Sequence, residues 1–109
     1  MPDDSAYVEV GDADAMADGE MRQVRVEKKK VLLCRIDGEY CAIAAVCTHE
    51  DGMLVDGELD GDIVTCPIHF GQFNVRTGEA VAAPCDVPEP VFDVRVEGGK
   101  VLVAKEPRK

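Results

Sequence analysis

Three dipeptides, Asp37-Gly38, Asp60-Gly61 and Gly98-Gly99, constrain this chain more than any other feature. Each lies between two short runs that are apolar, alternating or β-branched. Asp-Gly and Gly-Gly tolerate the positive φ angles that two-residue hairpin turns demand. A chain punctuated in this way is expected to fold as short antiparallel strands. The pattern predicts ten: Tyr7–Val10, Met21–Glu27, Val31–Ile36, Tyr40–Ala45, Val55–Leu59, Asp62–Thr65, Gln72–Val75, Glu79–Ala82, Phe92–Glu97 and Lys100–Ala104. Strands this short, with turn signals this frequent, indicate an all-β fold, a small sandwich or barrel. Asp12–Ala17 is expected to form one short helical turn, and the prolines at 84, 88 and 90 an irregular loop. The charged tail Lys105–Lys109 is expected to fray.

The 109 residues suit one domain and leave no room for a separate cofactor-binding or catalytic one. Aromatic residues make up 5% and Trp is absent, so the core must rely on Val, Leu, Ile and Ala. Twenty-two acids against 12 bases give a formal charge of −10. That sign argues against nucleic acid or an anionic membrane as partner and suits a basic protein surface. The longest apolar stretches, Val31–Cys34 and Ala42–Cys47, fall far short of the roughly 20 residues that span a bilayer. The start, Met1-Pro2-Asp3-Asp4, lacks the basic and apolar regions of a signal peptide. A soluble, cytoplasmic protein is expected.

Five cysteines in such a compartment point to metal or redox chemistry more than to a disulfide framework. A hairpin turning at Asp37-Gly38 sets Ile36 opposite Glu39, Arg35 opposite Tyr40 and Cys34 opposite Cys41. The expected state of that last pair is two half-buried thiols packing as small hydrophobes, with a functional disulfide as the less favoured alternative. Cys85 follows Pro84 and has no assigned role.

Both histidines of the chain fall in one pattern: Cys47-Thr48-His49, then sixteen residues, then Cys66-Pro67-Ile68-His69. The halves are joined by an expected hairpin over Val55–Thr65, which would bring them together as two loops at one end of a sheet. Two thiolates and two imidazoles suit either Zn²⁺ or an iron–sulfur cluster. Zinc sites usually pair Cys with Cys and His with His at short spacing. Here each half mixes the two, an arrangement that would suit two bridged metals, one taking both thiolates and the other both imidazoles. Zinc remains the competing reading on the residues alone.

The motif C-x-H…C-x-x-H at this separation resembles the Rieske [2Fe–2S] motif. The surrounding runs, Val46-Cys47-Thr48-His49-Glu50-Asp51 and Cys66-Pro67-Ile68-His69-Phe70-Gly71-Gln72-Phe73, resemble the Rieske-type ferredoxins of bacterial aromatic-ring dioxygenase systems. The likeness runs from about Tyr7 to Ala104. It implies one [2Fe–2S] cluster, with Cys47 and Cys66 on one iron and His49 and His69 on the other. It implies a Rieske fold, a base of antiparallel strands carrying a cluster-binding subdomain at about 46–83, all within a single domain over 1–109. It also implies that Pro84 sits in a loop covering the cluster. The partners implied are a flavoprotein ferredoxin reductase fed by NADH and a terminal oxygenase, with a monomer as the simplest state. Rivals are the Rieske-like small subunit of an assimilatory nitrite reductase, many of which lack the ligands present here, and a zinc-bound structural module.

High-potential respiratory relatives place a Ser and a Tyr after the last ligand, where their hydroxyls donate hydrogen bonds to sulfur. The matching positions here are Gly71 and Phe73, and those of the respiratory disulfide are Gly52 and Ile68. Missing donors and surrounding carboxylates leave the added electron less stabilised, so the potential is expected near the low end of a range of roughly −150 to +300 mV. Gly52 and Gly71 are expected to permit tight turns, and Ile68, Phe70 and Phe73 to shield the cluster. Arg76-Thr77-Gly78 reads as an ordinary turn, with Arg76 paired to a nearby acid. No independent catalytic apparatus remains, because an oxygenase iron site or a hydrolase triad needs a further histidine. Six acids and no base lie from Glu50 to Asp62: Glu50, Asp51, Asp56, Glu58, Asp60 and Asp62. They read either as a solvated loop or as a surface that steers the cluster end toward basic partners.

Overall fold

The computed structural model describes residues 6–46, 53–67, 71–82 and 88–107. Among the described residues ten strands run in chain order: β1 (Tyr7–Asp12), β2 (Met21–Val26), β3 (Lys29–Ile36), β4 (Glu39–Ala44), β5 (Glu58–Asp60), β6 (Ile63–Thr65), β7 (Gln72–Asn74), β8 (Ala80–Ala82), β9 (Val91–Glu97) and β10 (Lys100–Pro107). Two of the expected turns form as read. Asp37 and Gly38 have φ of 51° and 81°, Gly98 and Gly99 have 58° and 77°, and each pair closes a two-residue hairpin. The third is offset by one residue. Asp60 pairs with Ile63, so the central residues are Gly61 and Asp62, and only Gly61 has a positive φ, 60°. A fourth tight turn carries no Gly. Glu27 takes φ 58°, Val26 pairs with Lys29, and β3 begins two residues earlier than its apolar run suggests.

The strands make two antiparallel sheets, a six-stranded one in the order β1-β10-β9-β4-β3-β2 and a four-stranded one in the order β5-β6-β7-β8. The larger curls into a nearly closed barrel, bringing its outer strands β1 and β2 together. The chain leaves the barrel after β4 and returns at β9, and the smaller sheet is built wholly from that excursion.

β3 explains why Val31–Cys34 reads as a continuous apolar run. Both of its faces are buried. Val31 and Leu33 point into the barrel with Val26, Ala42, Phe92, Val101 and Val103. Leu32, Cys34 and Ile36 point the other way, into a core shared with Ile43, Leu54, Val64, Phe73 and Val75 between the sheets. Each Val or Leu buried in this way contributes about 1.5–3 kcal/mol of transfer free energy.

Three expectations are corrected. Residues 12–17 form a turn and no helix. Tyr40 donates its hydroxyl to the Ala13 carbonyl (2.5 Å) and Arg35 donates to that of Met16 (2.5 Å), so these carbonyls bond side chains and not the i+4 amides of a helix. The loop seats Met16 in the barrel core. The strand expected over 55–59 starts only at Glu58, because Leu54–Asp56 is a 3-10 turn that drops Leu54 into the core between the sheets. The tail does not fray over 105–107. A register shift after Val103 lets β10 continue until Pro107 faces Phe92.

Candidate metal centre

The excursion between β4 and β9 carries every residue that the motif singles out. Cys66 is described. Cys47, His49 and His69 lie outside the described residues, as do Glu50, Asp51, Gly52, Ile68, Phe70, Pro84 and Cys85. β6 delivers Cys66 directly after Thr65, and the side chain is fully buried. Its backbone N–H donates to the Gly71 carbonyl at 2.7 Å, which closes the second half of the motif at its base. The first half is closed in the same way. Val46, next to Cys47, bridges to Met53, and the Leu54 N–H donates to the Ala45 carbonyl at 2.9 Å. Ala45, Leu54 and Cys66 share one buried cluster. The β5–β6 hairpin therefore brings the flanks of both halves together.

A glycine that the sequence reading passed over makes this approach possible. Gly57 ends the 3-10 turn against β6, and a Cβ there would lie 1.9 Å from the Thr65 carbonyl oxygen. Its own φ of −90° is ordinary, so only the close approach to β6 demands glycine. No sequence signal marks it, because the space it vacates belongs to a strand eight residues away. On the open side, a cavity of about 240 Å³ is lined by Asp56, Glu58, Thr65, Cys66 and Pro67. Two of the six acids thus line the same cavity as Cys66.

At the far end of the small sheet, Asn74 organises the turn. Its Oδ1 accepts from the N–H groups of Arg76 (2.8 Å) and Thr77 (3.2 Å), and its carbonyl accepts from Gly78 (2.7 Å). Arg76 reaches Glu39 on β4 at 2.9 Å, the expected ion pair, and it ties the two sheets. Gly78 is more than a turn glycine. With φ 78°, it accepts from the Glu89 N–H at 2.8 Å, and a Cβ would lie 2.3 Å from the Glu89 carbonyl oxygen. It locks the returning chain onto the sheet just before β9.

Cys66 supports a soft metal centre. Burial among apolar side chains removes water from its sulfur, so it would be held as a thiolate only by a bound cation. Iron and zinc both meet that requirement. Phe73, also fully buried, packs in the same cluster and carries no hydroxyl. Among the described residues no group of three or more His, Cys, Asp and Glu could hold a metal elsewhere, and no helix is long and apolar enough to cross a membrane.

Comparison with known proteins separates the two metals. The Rieske [2Fe-2S] domain model matches residues 6–105. Ferredoxin CarAc of Metapseudomonas resinovorans is 41% identical over 101 residues, covering 92% of this chain and 94% of its own. The ferredoxin component of biphenyl 2,3-dioxygenase from Rhodococcus jostii is 38% identical, covering 93% and 94%. Among solved structures, a chain in the complex of reduced oxygenase and oxidised ferredoxin of carbazole 1,9a-dioxygenase superposes with a TM-score of 0.91. It is 39% identical, over 95% of this chain and 97% of that one. The zinc reading, open on the residues alone, gives way: this chain belongs to the Rieske [2Fe-2S] domain family, whose cofactor is one [2Fe–2S] cluster.

Proposed function

We propose that the chain is a one-electron carrier, itself without enzymatic activity, that passes electrons from an NADH-dependent flavoprotein reductase to a terminal oxygenase in the cytoplasm. The observation that carries this reading is likeness over nearly the full length of both chains to ferredoxin components of dioxygenase systems. In the same reading Cys47, His49, Cys66 and His69 hold the cluster, within a single domain whose cluster-binding subdomain spans about 46–83. When bound, the cluster supplies the single-electron redox centre. The chain's own residues do the rest. Leu54, Val64 and Phe73 keep water from the Cys66 side of the site. Asp56 and Glu58 present negative charge beside it, where it would steer a basic partner surface.

The test is spectroscopic. The purified protein should be red-brown and, when reduced, give a rhombic EPR signal with a lower average g than an all-cysteine cluster. An unchanged visible spectrum in His49→Cys would remove that ligand from the set. For the docking part, Asp56→Lys with Glu58→Lys should slow turnover of a reconstituted electron-transfer chain at low salt, with the difference fading as ionic strength rises. Turnover indifferent to salt and to both charges would reject it.

A further inference from the structure

Cys34 on β3 and Cys41 on β4, which lie outside the ligand set, are direct cross-strand partners. The backbone of Arg35 faces β2's side of the sheet: its N–H donates to the Glu20 carbonyl (3.1 Å) and its carbonyl accepts from Gly19 (2.7 Å). By alternation, Cys34 turns its own N–H and C=O toward β4, so Cys34 and Cys41 form a hydrogen-bonded pair. Cα atoms of such a pair stand about 5.5 Å apart, inside the roughly 4.4–6.8 Å that a disulfide bridges. The Cβ atoms, toward the long end of about 4.5–5.5 Å, must draw together to reach the roughly 3.5–4.5 Å of a relaxed disulfide, so the bond formed is readily reduced. Opposed side chains emerge on one face, and both thiols pack against the core between the sheets.

Their access differs. Cys34 is fully buried and Cys41 only half-buried. The β4–β9 ladder is short, pairing Ala42 with Phe92 and Ile43 with Val91. Beyond it a cleft of about 230 Å³ opens, lined by Tyr40, Cys41, Asp93, Val94 and, from the other sheet, Arg76. The Arg76 guanidinium, paired with Glu39, lines the same cleft as Cys41 and interacts with it electrostatically. An accessible thiol, backed by a buried second thiol in register, has the layout of an exchange site.

We infer that Cys34 and Cys41 form a thiol–disulfide exchange site for low-molecular-weight disulfides of the glutathione type. The Cys41 thiolate attacks one sulfur of the small disulfide, breaking its S–S bond, forming a mixed disulfide and releasing one small thiol. The Cys34 sulfur then attacks the Cys41 sulfur and expels the second small thiol. Two protein thiols are oxidised, one small disulfide is reduced to two thiols, and the two protein protons leave on them. Burial pushes the Cys34 thiol up to about 12, so the second step is the slower and the mixed disulfide builds up before it closes.

The test treats the cluster-loaded protein with oxidised glutathione and follows intact mass and non-reducing peptide maps. The wild type should pass through one glutathionyl adduct on Cys41 to a product lacking two hydrogens, with linked Cys34 and Cys41 peptides, an unchanged cluster spectrum, and reversal by dithiothreitol. Cys34→Ser should stop at the Cys41 adduct, as should Cys34→Ala, which keeps the core apolar should the serine variant misfold. Cys41→Ser should yield neither product. A Cys41 adduct that persists in the wild type, linkage through Cys85, loss of the cluster before any linkage, or no reaction at Cys41 would overturn the inference.

Discussion

Replacing Gly57 by Ala isolates the contact that joins the two halves of the metal centre. Its backbone, at φ −90° and ψ −155°, is open to alanine, so the substitution adds no conformational penalty. The added methyl would stand 1.9 Å from the Thr65 carbonyl oxygen, where real Cβ atoms keep at least 3.0 Å. The 3-10 turn and β6 must therefore separate by 3.0 − 1.9 = 1.1 Å or more. Neither side is a flexible side-chain tip, so relaxation is limited, and the upper part of the usual overpacking range applies, about 2–3 kcal/mol. For a domain of this size that lowers Tm by roughly 8–24 °C. Thr65 immediately precedes Cys66, so the displacement also reaches Cys66, one of the four proposed ligands. Iron per chain should fall at temperatures where the variant is still folded. Gly38→Ala is the control. Nothing lies within 4 Å of its Cβ and its φ is 81°, so it should cost about 1–2 kcal/mol through backbone strain and leave iron content unchanged. The reasoning fails if Gly57→Ala retains wild-type Tm and iron, or if Gly38→Ala loses iron equally.

A redox titration should place the midpoint near the low end of the Rieske span, and a value above roughly +100 mV would contradict the missing-donor argument at Gly71 and Phe73. Phe73→Tyr should raise it by tens of millivolts, at ~59 mV for each ~1.4 kcal/mol by which a new hydroxyl favours the reduced state, and an unmoved midpoint would show that position 73 does not address the centre. The Cys34 thiol, raised from 9.0 to about 12 by burial, keeps its proton in the fold while the unfolded chain loses it. Its contribution is thus intact below about pH 9 and declines by up to ~1.4 kcal/mol per pH unit between there and about pH 12. Denaturation of wild type against Cys34→Ala should show that slope as the difference, and parallel pH curves would refute it.

The turn dipeptides made the hairpin pairings legible because their chemistry is local. Asp37-Gly38 and Gly98-Gly99 needed no tertiary context to dictate both φ angles and the pairing that follows. The Glu27-Lys28 turn was hidden because neither residue favours positive φ, and burial of Val26 and Val31 on flanking strands imposes it. The 3-10 turn at Leu54 was missed for a similar reason: Leu-Val reads as strand, and only a core between two sheets asks Leu54 to turn inward. Of the site, the donor spacing was plain because ligand chemistry demands particular residue types. The supports at Gly57 and Gly78 were not, since each is required by a backbone distant in the chain.

A strand that serves two interiors also limits how the chain could be divided. β3 gives alternate residues to the barrel and to the core beneath the small sheet. A transplant of residues 46–83 onto another scaffold would arrive without Leu32, Cys34, Ile36 and Ile43, and half of its interior would meet water. Iron release and barrel melting should accordingly fall on one curve. The small sheet is not a detachable module but one side of a wall that the whole protein shares.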